Sequence, residues 1–485
     1  MPLKFVFGPS GSGKSTYLYQ HVIEESEKYP LKNFIVLVPE QFTMQTQKDL
    51  VSMHPRHGIM NIDVLSFARL AYRVFEETGT KQMQVLDDEG KNLILRKIAG
   101  DYENKLTVLK GNIKKLGYIS EVKSVISEFT QYDIGEEEID EMLDHLDEDS
   151  RLYYKLKDIR LLYEGFQDYL RERYITKEEL LDVLNSQVKE SELLKNSVVV
   201  LDGFTGFTPV QNRLILELMR CCKEVWVTVT MDERENPYAY KHPYQLFGLS
   251  KQMVTTLVRM AGEDHIEVEE PVCLYGYPVK RFEKNQELAF LERNIFRYGS
   301  GRYDKAVENL EIHAAGNPRQ EADAVAEGIR RLVRKEQYRY RDIGVIVSDM
   351  NVYGDYLEQA FENYGIPVFM DHKRSILLNS FVEYIRSLLN MAEKNFSYES
   401  VFRFLRTNLA GFACEEVDEL ENYVLGLGIR GYKGWQNRWI RRLKGMEEEE
   451  LDRLNHYRVQ LVEKVDNLMF VLKQKRKTVR DITMA

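Results

Sequence analysis

The sequence is poor in cysteine. Four occur in 485 residues, Cys221, Cys222, Cys273 and Cys414, too few and too oddly spaced for a disulfide framework or a zinc site. They read as buried, reduced thiols of a cytoplasmic protein. Long apolar runs are lacking too: none approaches the roughly 18 residues of a membrane span, so no membrane is expected as a partner. The N-terminus lacks the basic-then-apolar pattern of a secretory signal, and its apolar residues read as a first strand. Net positive charge is absent. A formal net charge of −10 argues against a chain coated in nucleic acid, while leaving room for a local basic groove. His21, His54, His57, His313 and His372 show no metal-ligand spacing. There is no repeat of fixed period and no low-complexity tract.

What is present suffices for a core. The chain is 44% hydrophobic and 30% charged, and its length suggests two to four domains. The first eighty residues alternate strand and helix: Phe5–Phe7, a helix from about Ser15, the buried-type run Phe34–Val38, and a short candidate at Asp63–Leu65. Apolar strands separated by helices imply a parallel sheet covered on both faces. From 84 to 196 the chain is charged and helix-patterned, as in YYKLKDIRLLYEGFQDYLRERY, and reads as an all-helical insertion. Strand signals return at Ser197–Leu201 and Glu224–Thr230, with a helix from about Pro209 to Cys222 between them. A second alternating unit is expected near Leu310, with strands at Leu310–Ala315, Ile343–Val347 and Ile366–Met370 and helices at Glu321–Lys335 and Tyr353–Tyr364. Beyond residue 375 the pattern is helical.

Gly8-Pro9-Ser10-Gly11-Ser12-Gly13-Lys14-Ser15, followed by Thr16, fills every fixed position of GxxxxGK[ST]. Small residues let backbone N–H groups converge on a phosphate, and the following helix adds its positive dipole. Lys14 is expected to reach the β- and γ-phosphates of ATP, and Ser15 to ligate Mg²⁺. The bland alternative is a glycine turn that binds nothing. Asp202, closing the run SVVVLD, is the expected second magnesium residue, held through water; its alternative role is a strand-end turn with Gly203. Many motor ATPases carry a glutamate directly after that aspartate to position the attacking water. Here Gly203, Phe204, Thr205, Gly206 and Phe207 follow, and none is a carboxylate. The pattern favours holding ATP over consuming it.

About 190 residues separate Lys14 from Asp202, a gap typical of superfamily 1 DNA helicases, whose two core domains each carry a helical insertion. Within that class VPEQFTMQTQ (38–47), VLSFARLAYRVF (64–75), LDGFTGFTPVQ (201–211), EADAVAEGIRRLV (321–333) and ENYVLGLGIRGYKGW (421–435) resemble the AddB family. Its members are B subunits of the AddAB (RexAB) helicase–nuclease of bacterial double-strand-break repair. The resemblance implies an α/β fold of P-loop, RecA-like parallel-sheet core domains with large all-helical insertions. The first core domain would be 1–83 and 197–300, its insertion 84–196, the start of the second core domain 301–374, and its insertion 375–485. It also implies a helicase-like subunit without a motor role, an AddA-type partner that drives translocation, contact with single- and double-stranded DNA, and a part in reading Chi. The family's C-terminal nuclease and its four-cysteine iron–sulfur cluster have no counterpart in these residues, so the chain reads as an N-terminal fragment. Two motor features are missing: an upstream glutamine for adenine, and an arginine for the γ-phosphate after Ile343–Val347, where Ser348-Asp349 stands.

Gln41, Phe42, Ser66, Phe67 and Arg69 follow strand ends. In helicase-like cores such loops face single-stranded DNA, where aromatics stack on bases and hydroxyls or arginines meet phosphates. The alternatives are core packing for the two phenylalanines and a plain surface arginine. Two basic runs, Arg330, Arg331, Arg334, Lys335, Arg339 and Arg341, and Arg430, Lys433, Arg438, Arg441, Arg442 and Lys444 with Tyr432, Trp435 and Trp439 interleaved, read either as solvated helix faces or as nucleic-acid contacts. Three functional readings stay open: a DNA-processing subunit, retired as a motor or still a DNA-stimulated ATPase; a phosphotransferase on a small substrate; and an interaction scaffold whose loop is a relic.

Overall fold

In a strand, successive side chains point to opposite faces, and the first eight residues already use both. Phe5 and Phe7 enter one core while Val6 enters another. The computed structural model describes residues 2–79, 84–113, 115–171, 174–297, 299, 301–371 and 376–485. His372 and the domain boundaries drawn at 83, 300 and 374 lie outside the described residues. The chain forms two compact units, Met1–Ile312 and His313–Ala485.

The strands of the first unit are β1 (Leu3–Gly8), β2 (Asn33–Leu37), β3 (Ile62–Leu65), β4 (Gln84–Leu86), β5 (Tyr174–Thr176), β6 (Ser197–Leu201), β7 (Glu224–Thr230) and β8 (Val272–Cys273). Six of them form one sheet in the order β3-β2-β6-β7-β1-β8, and every pair is parallel. One face carries Phe5, Phe7, Ile35, Leu37, Val199, Leu201 and Val227 against the helices Phe67–Thr78, Pro209–Cys221 and Gly248–Glu263. The other carries Val6, Phe34, Val36, Val200 and Trp226 against Leu18, Val22 and Ile23 of helix α1 (Lys14–Lys28). With both faces covered, no strand position can be polar without cost, which is why FIVLV and VVVL are unbroken apolar runs. The α/β, parallel-sheet reading therefore holds for this unit. The two-residue strand β8 carries too short a signal to be seen in the sequence.

The insertion differs from its all-helical expectation. Asp88–Asp101, Leu116–Gln131, Glu136–Asp144 and Arg151–Leu170 are helices sharing a separate core, but β4 before them and β5 after them pair in parallel. Three-residue strands are too short to show an alternation. Leu180, Leu184, Val188 and Leu194 also pack into the core of the large sheet, not that of the insertion. Lys91, 2% exposed, is held by Glu178 at 2.7 Å and Ser127 at 3.3 Å.

In the second unit, helices Pro318–Lys335 and Met350–Asn363 pack through Ala322, Ala326, Ile329, Leu357 and Phe361. The strands expected at Leu310–Ala315, Ile343–Val347 and Ile366–Met370 do not form, and the described residues of this unit hold no sheet. A strand exists only through the ladder it makes with a neighbour, and these segments have apolar, β-branched composition without that neighbour. The helical pattern beyond 375 is present, from Ser380–Glu393 to Val479–Met484. Tyr432, Trp435 and Trp439 belong to the core there, so the aromatics of the second basic run are not stacking platforms. Two of the four thiols, Cys273 and Cys414, are exposed rather than buried. Among the described residues no helix is both long and apolar enough to cross a membrane.

Candidate functional site

The C-terminal ends of parallel strands leave backbone groups and loops at one edge of the sheet, and ligands of such sheets bind there. At this edge β1 ends in Gly8, β6 runs into Asp202, and β7, lying between them, ends with Thr228 and Thr230. The loop from Gly8 turns into α1 with Gly11 and Gly13 at φ 83° and 92°, a backbone that a side chain would strain. Gly13 caps the helix in the left-handed region, so the first turn of α1 presents its free N–H groups to the loop.

Ser10, Gly11, Gly13, Lys14, Ser15, Thr16 and Asp202 line one cavity of about 460 Å³. The structure thus brings together most of the residues expected from the loop pattern. Gly8, Pro9 and Ser12 support the loop without lining the cavity. The Ser12 hydroxyl is buried without a hydrogen-bond partner, and a Cβ on Gly8 would sit 2.4 Å from it. The Lys14 ammonium donates to the Gly8 and Pro9 carbonyls at 2.9 and 3.0 Å. Burial pulls its pKa down from 10.5 to about 8; Asp202 opposes the shift and the positive charge of Arg281 adds to it.

Asp202 is buried and fully engaged. One carboxylate oxygen accepts hydrogen bonds from Ser15 at 3.2 Å and Thr228 at 2.6 Å, and the other accepts one from Tyr19 at 2.7 Å. Burial, then the negative charge of Asp202, holds the Tyr19 phenol far above its ordinary pKa, so it remains a donor. Ser15 and Asp202 are hard oxygen donors side by side, a set that fits magnesium.

The sequence pattern missed Tyr19, Thr228, Thr230, Lys280 and Arg281. Tyr19 was legible in principle, because it lies four residues after Ser15 and shares its helix face. Thr228 and Thr230 show only as polar interruptions near the end of EVWVTVT. Lys280 and Arg281 arrive from a loop remote in sequence and carry no local signal. Three cations, Lys14, Lys280 and Arg281, thus line the cavity against one carboxylate, Asp202. Glu292 lies with Pro9, Asp232 and Glu233 along a neighbouring cleft; burial raises its pKa, and the negative charge of Asp232 adds to the shift.

The residues proposed for DNA divide. Gln41 and Phe42 are exposed just past β2, and Arg69 is exposed past β3. Ser66 instead caps the helix Phe67–Thr78, accepting from the Arg69 N–H at 3.4 Å. Phe67 packs against Phe204 and Phe207, with ring centroids 5.4 and 6.4 Å apart. Its ring is core and is not free to stack on a base. A larger cavity of about 880 Å³ lies in the second unit, but its lining is mostly apolar and it lacks the convergent polar groups of the loop site.

The family described as ADDB, N-terminal, matches residues 5–292. The chain belongs to the AddB family. It is 43% identical over 492 aligned residues to the B subunit of the ATP-dependent helicase/deoxyribonuclease of Lachnoclostridium phytofermentans, covering 100% of this chain and 42% of that protein. The corresponding protein of Caldanaerobacter subterraneus subsp. tengcongensis is 36% identical, over 94% of this chain and 39% of its own length. That of Clostridium acetobutylicum is 32% identical, over 92% and 38%. The chain therefore spans about two-fifths of the length of the curated relatives it matches. The AddB match takes in both the phosphate loop and Asp202.

Proposed function

We propose that this chain is the nucleotide-holding, helicase-like portion of a helicase/deoxyribonuclease of the AddAB type, with a RecA-like first domain, working in the cytoplasm in double-strand-break repair. Mg²⁺·ATP sits on the Gly8–Thr16 loop: Lys14 turns from its carbonyl partners to the phosphates, and Ser15 and Asp202 hold the metal, which supplies charge neutralisation at the phosphates. An AddA-type protein is the motor partner. Gln41, Phe42 and Arg69 contact single-stranded DNA, and the chain contributes to recognition of Chi; double-stranded DNA is engaged by the assembled enzyme.

The observation that carries the passive-site reading is the lining of the cavity. Asp202 is its one carboxylate among the described residues, and both its oxygens already accept hydroxyl hydrogen bonds. It is occupied as a metal and hydroxyl acceptor and is poorly placed to take a proton from water. Absence of a positioned base typically costs about 10²–10⁴-fold in rate.

The test is nucleotide binding and turnover on the purified chain, with and without single-stranded DNA. Tight Mg²⁺·ATP binding with negligible DNA-stimulated hydrolysis is expected. Brisk hydrolysis would restore the working-motor reading, and Glu292 would be the first carboxyl to replace. Within an assembled complex, Lys14→Ala should weaken nucleotide binding yet leave the unwinding rate nearly unchanged. An unwinding loss as deep as a lesion in the motor partner would overturn the passive site. Binding of single-stranded DNA should weaken steeply with salt, because phosphate contacts release counterions.

A further inference from the structure

Gly11 occupies one of the variable positions of the loop pattern, where the pattern itself asks for no glycine. The fold supplies the reason. The segment after β8 runs back across the loop, and the Arg281 N–H donates to the Gly11 carbonyl at 3.0 Å. A Cβ on Gly11 would lie 2.9 Å from the Arg281 Cβ and 3.5 Å from Val279 Cγ2. Gly13 is approached in the same way, with the Lys280 Cδ 3.4 Å from where its Cβ would be. Val279, buried, anchors this strap.

The strap delivers Lys280 and Arg281 to the cavity that Lys14 and Asp202 line. Both are exposed, and neither forms an ion pair among the described residues. Nearby arginines behave differently: Arg234 pairs with Asp232, Arg293 with Glu233, and Arg297 with Glu235. Two cations without an ion pair, held against a phosphate loop in a chain of net charge −10, are free to meet an anion from outside.

We propose that Lys280 and Arg281 form a second cationic arm of the phosphate site, contacting the terminal phosphates of a nucleoside triphosphate held on the Lys14 loop. This rests on the nucleotide reading above and deepens it. Neutralisation of the β- and γ-phosphates is then internal to the first unit, supplied by a strap of the same domain. The missing arginine at Ser348-Asp349 is no longer a deficit for holding ATP. The arm also makes the site selective for phosphate number, since AMP lacks the groups it would grip.

The experiment is calorimetric titration of the full chain with Mg²⁺·ATP, Mg²⁺·ADP and AMP. The variants are Lys280→Ala, Arg281→Ala, the double alanine variant, and the charge-preserving pair Lys280→Arg with Arg281→Lys. Each alanine should weaken Mg²⁺·ATP about 10-fold and the pair about 100-fold, the scale of charge-assisted hydrogen bonds. AMP should be affected least, and the charge-preserving pair should keep most of the affinity. Melting temperatures should not move, which separates binding from folding. If the wild-type chain binds Mg²⁺·ATP and the double alanine variant binds it equally well, or loses ATP and AMP alike, the second arm is refuted and the nucleotide reading stands. If the wild-type chain binds no Mg²⁺·ATP, the nucleotide reading itself falls and takes this assignment with it.

Discussion

Lys14 shows how one residue's surroundings set two opposite pH dependences. Burial first, then the charge of Arg281, lowers its pKa to about 8 against the pull of Asp202, from an ordinary 10.5. The native chain therefore releases this proton before the unfolded chain does, and Lys14 contributes stability that grows as pH climbs from about 8 toward 10.5. Phosphate binding runs the other way, because only the ammonium attracts the anion. Mg²⁺·ATP affinity should be full below about pH 8 and fall above it, and Lys14→Met should flatten that profile; a wild-type profile that stays flat up to the ordinary lysine range would contradict the shift. Thiol reactivity is a second residue-scale outcome. Burial pushes Cys222 up to about 12, whereas Cys273 and Cys414 are exposed. Alkylation in mildly alkaline buffer, read by peptide mass spectrometry, should label Cys273 and Cys414 well before Cys222.

Among the elements, helix Arg151–Leu170 carries a polar staple within an apolar core. Asp158, 2% exposed, accepts from the backbone N–H groups of Thr107, Val108 and Leu109 at 2.8–3.1 Å and from the Thr107 hydroxyl at 2.9 Å. It organises an irregular stretch that no helix or strand ladder satisfies. Asp158→Ala leaves three amide donors without a partner and should destabilise the insertion by about 3 kcal/mol. Urea unfolding checks this; a loss below about 1 kcal/mol would mean that water takes over those amides. A periodicity scan marks the helix and its apolar face, and it leaves an aspartate on that face looking like an error. Only the loop folded beneath it explains the charge.

For the whole molecule, the second unit exposes apolar surface around its larger cavity. Ile346 is 98% and Phe369 89% exposed, and both border the 880 Å³ cavity beside helices Pro318–Lys335 and Met350–Asn363. Contiguous apolar surface of this kind is sticky in water. The isolated chain should bind a hydrophobic dye such as anilinonaphthalene sulfonate, and Ile346→Lys with Phe369→Lys should reduce both dye fluorescence and aggregation. Unchanged dye binding in that pair would place the apolar surface elsewhere.

The first sheet was legible because its order is written locally. Strands buried on both faces read as unbroken apolar runs, and the glycine-lysine-serine sequence of the loop follows directly from phosphate chemistry. Asp202 was found as the last residue of such a run. The rest required the folded chain. Whether Ile343–Val347 becomes a strand depends on a hydrogen-bonding neighbour, and that is a property of the ladder, absent from the segment's own composition. Whether Phe67 stacks on DNA or fills the core depends on Phe204 and Phe207, more than a hundred residues away in the chain. Lys280 and Arg281 look like any surface pair until the strap lays them over Gly11 and Gly13. Periodicity and motif spacing record contacts between near neighbours in the chain, whereas the charge balance of this cavity is set by residues that only the tertiary fold brings within reach of one another.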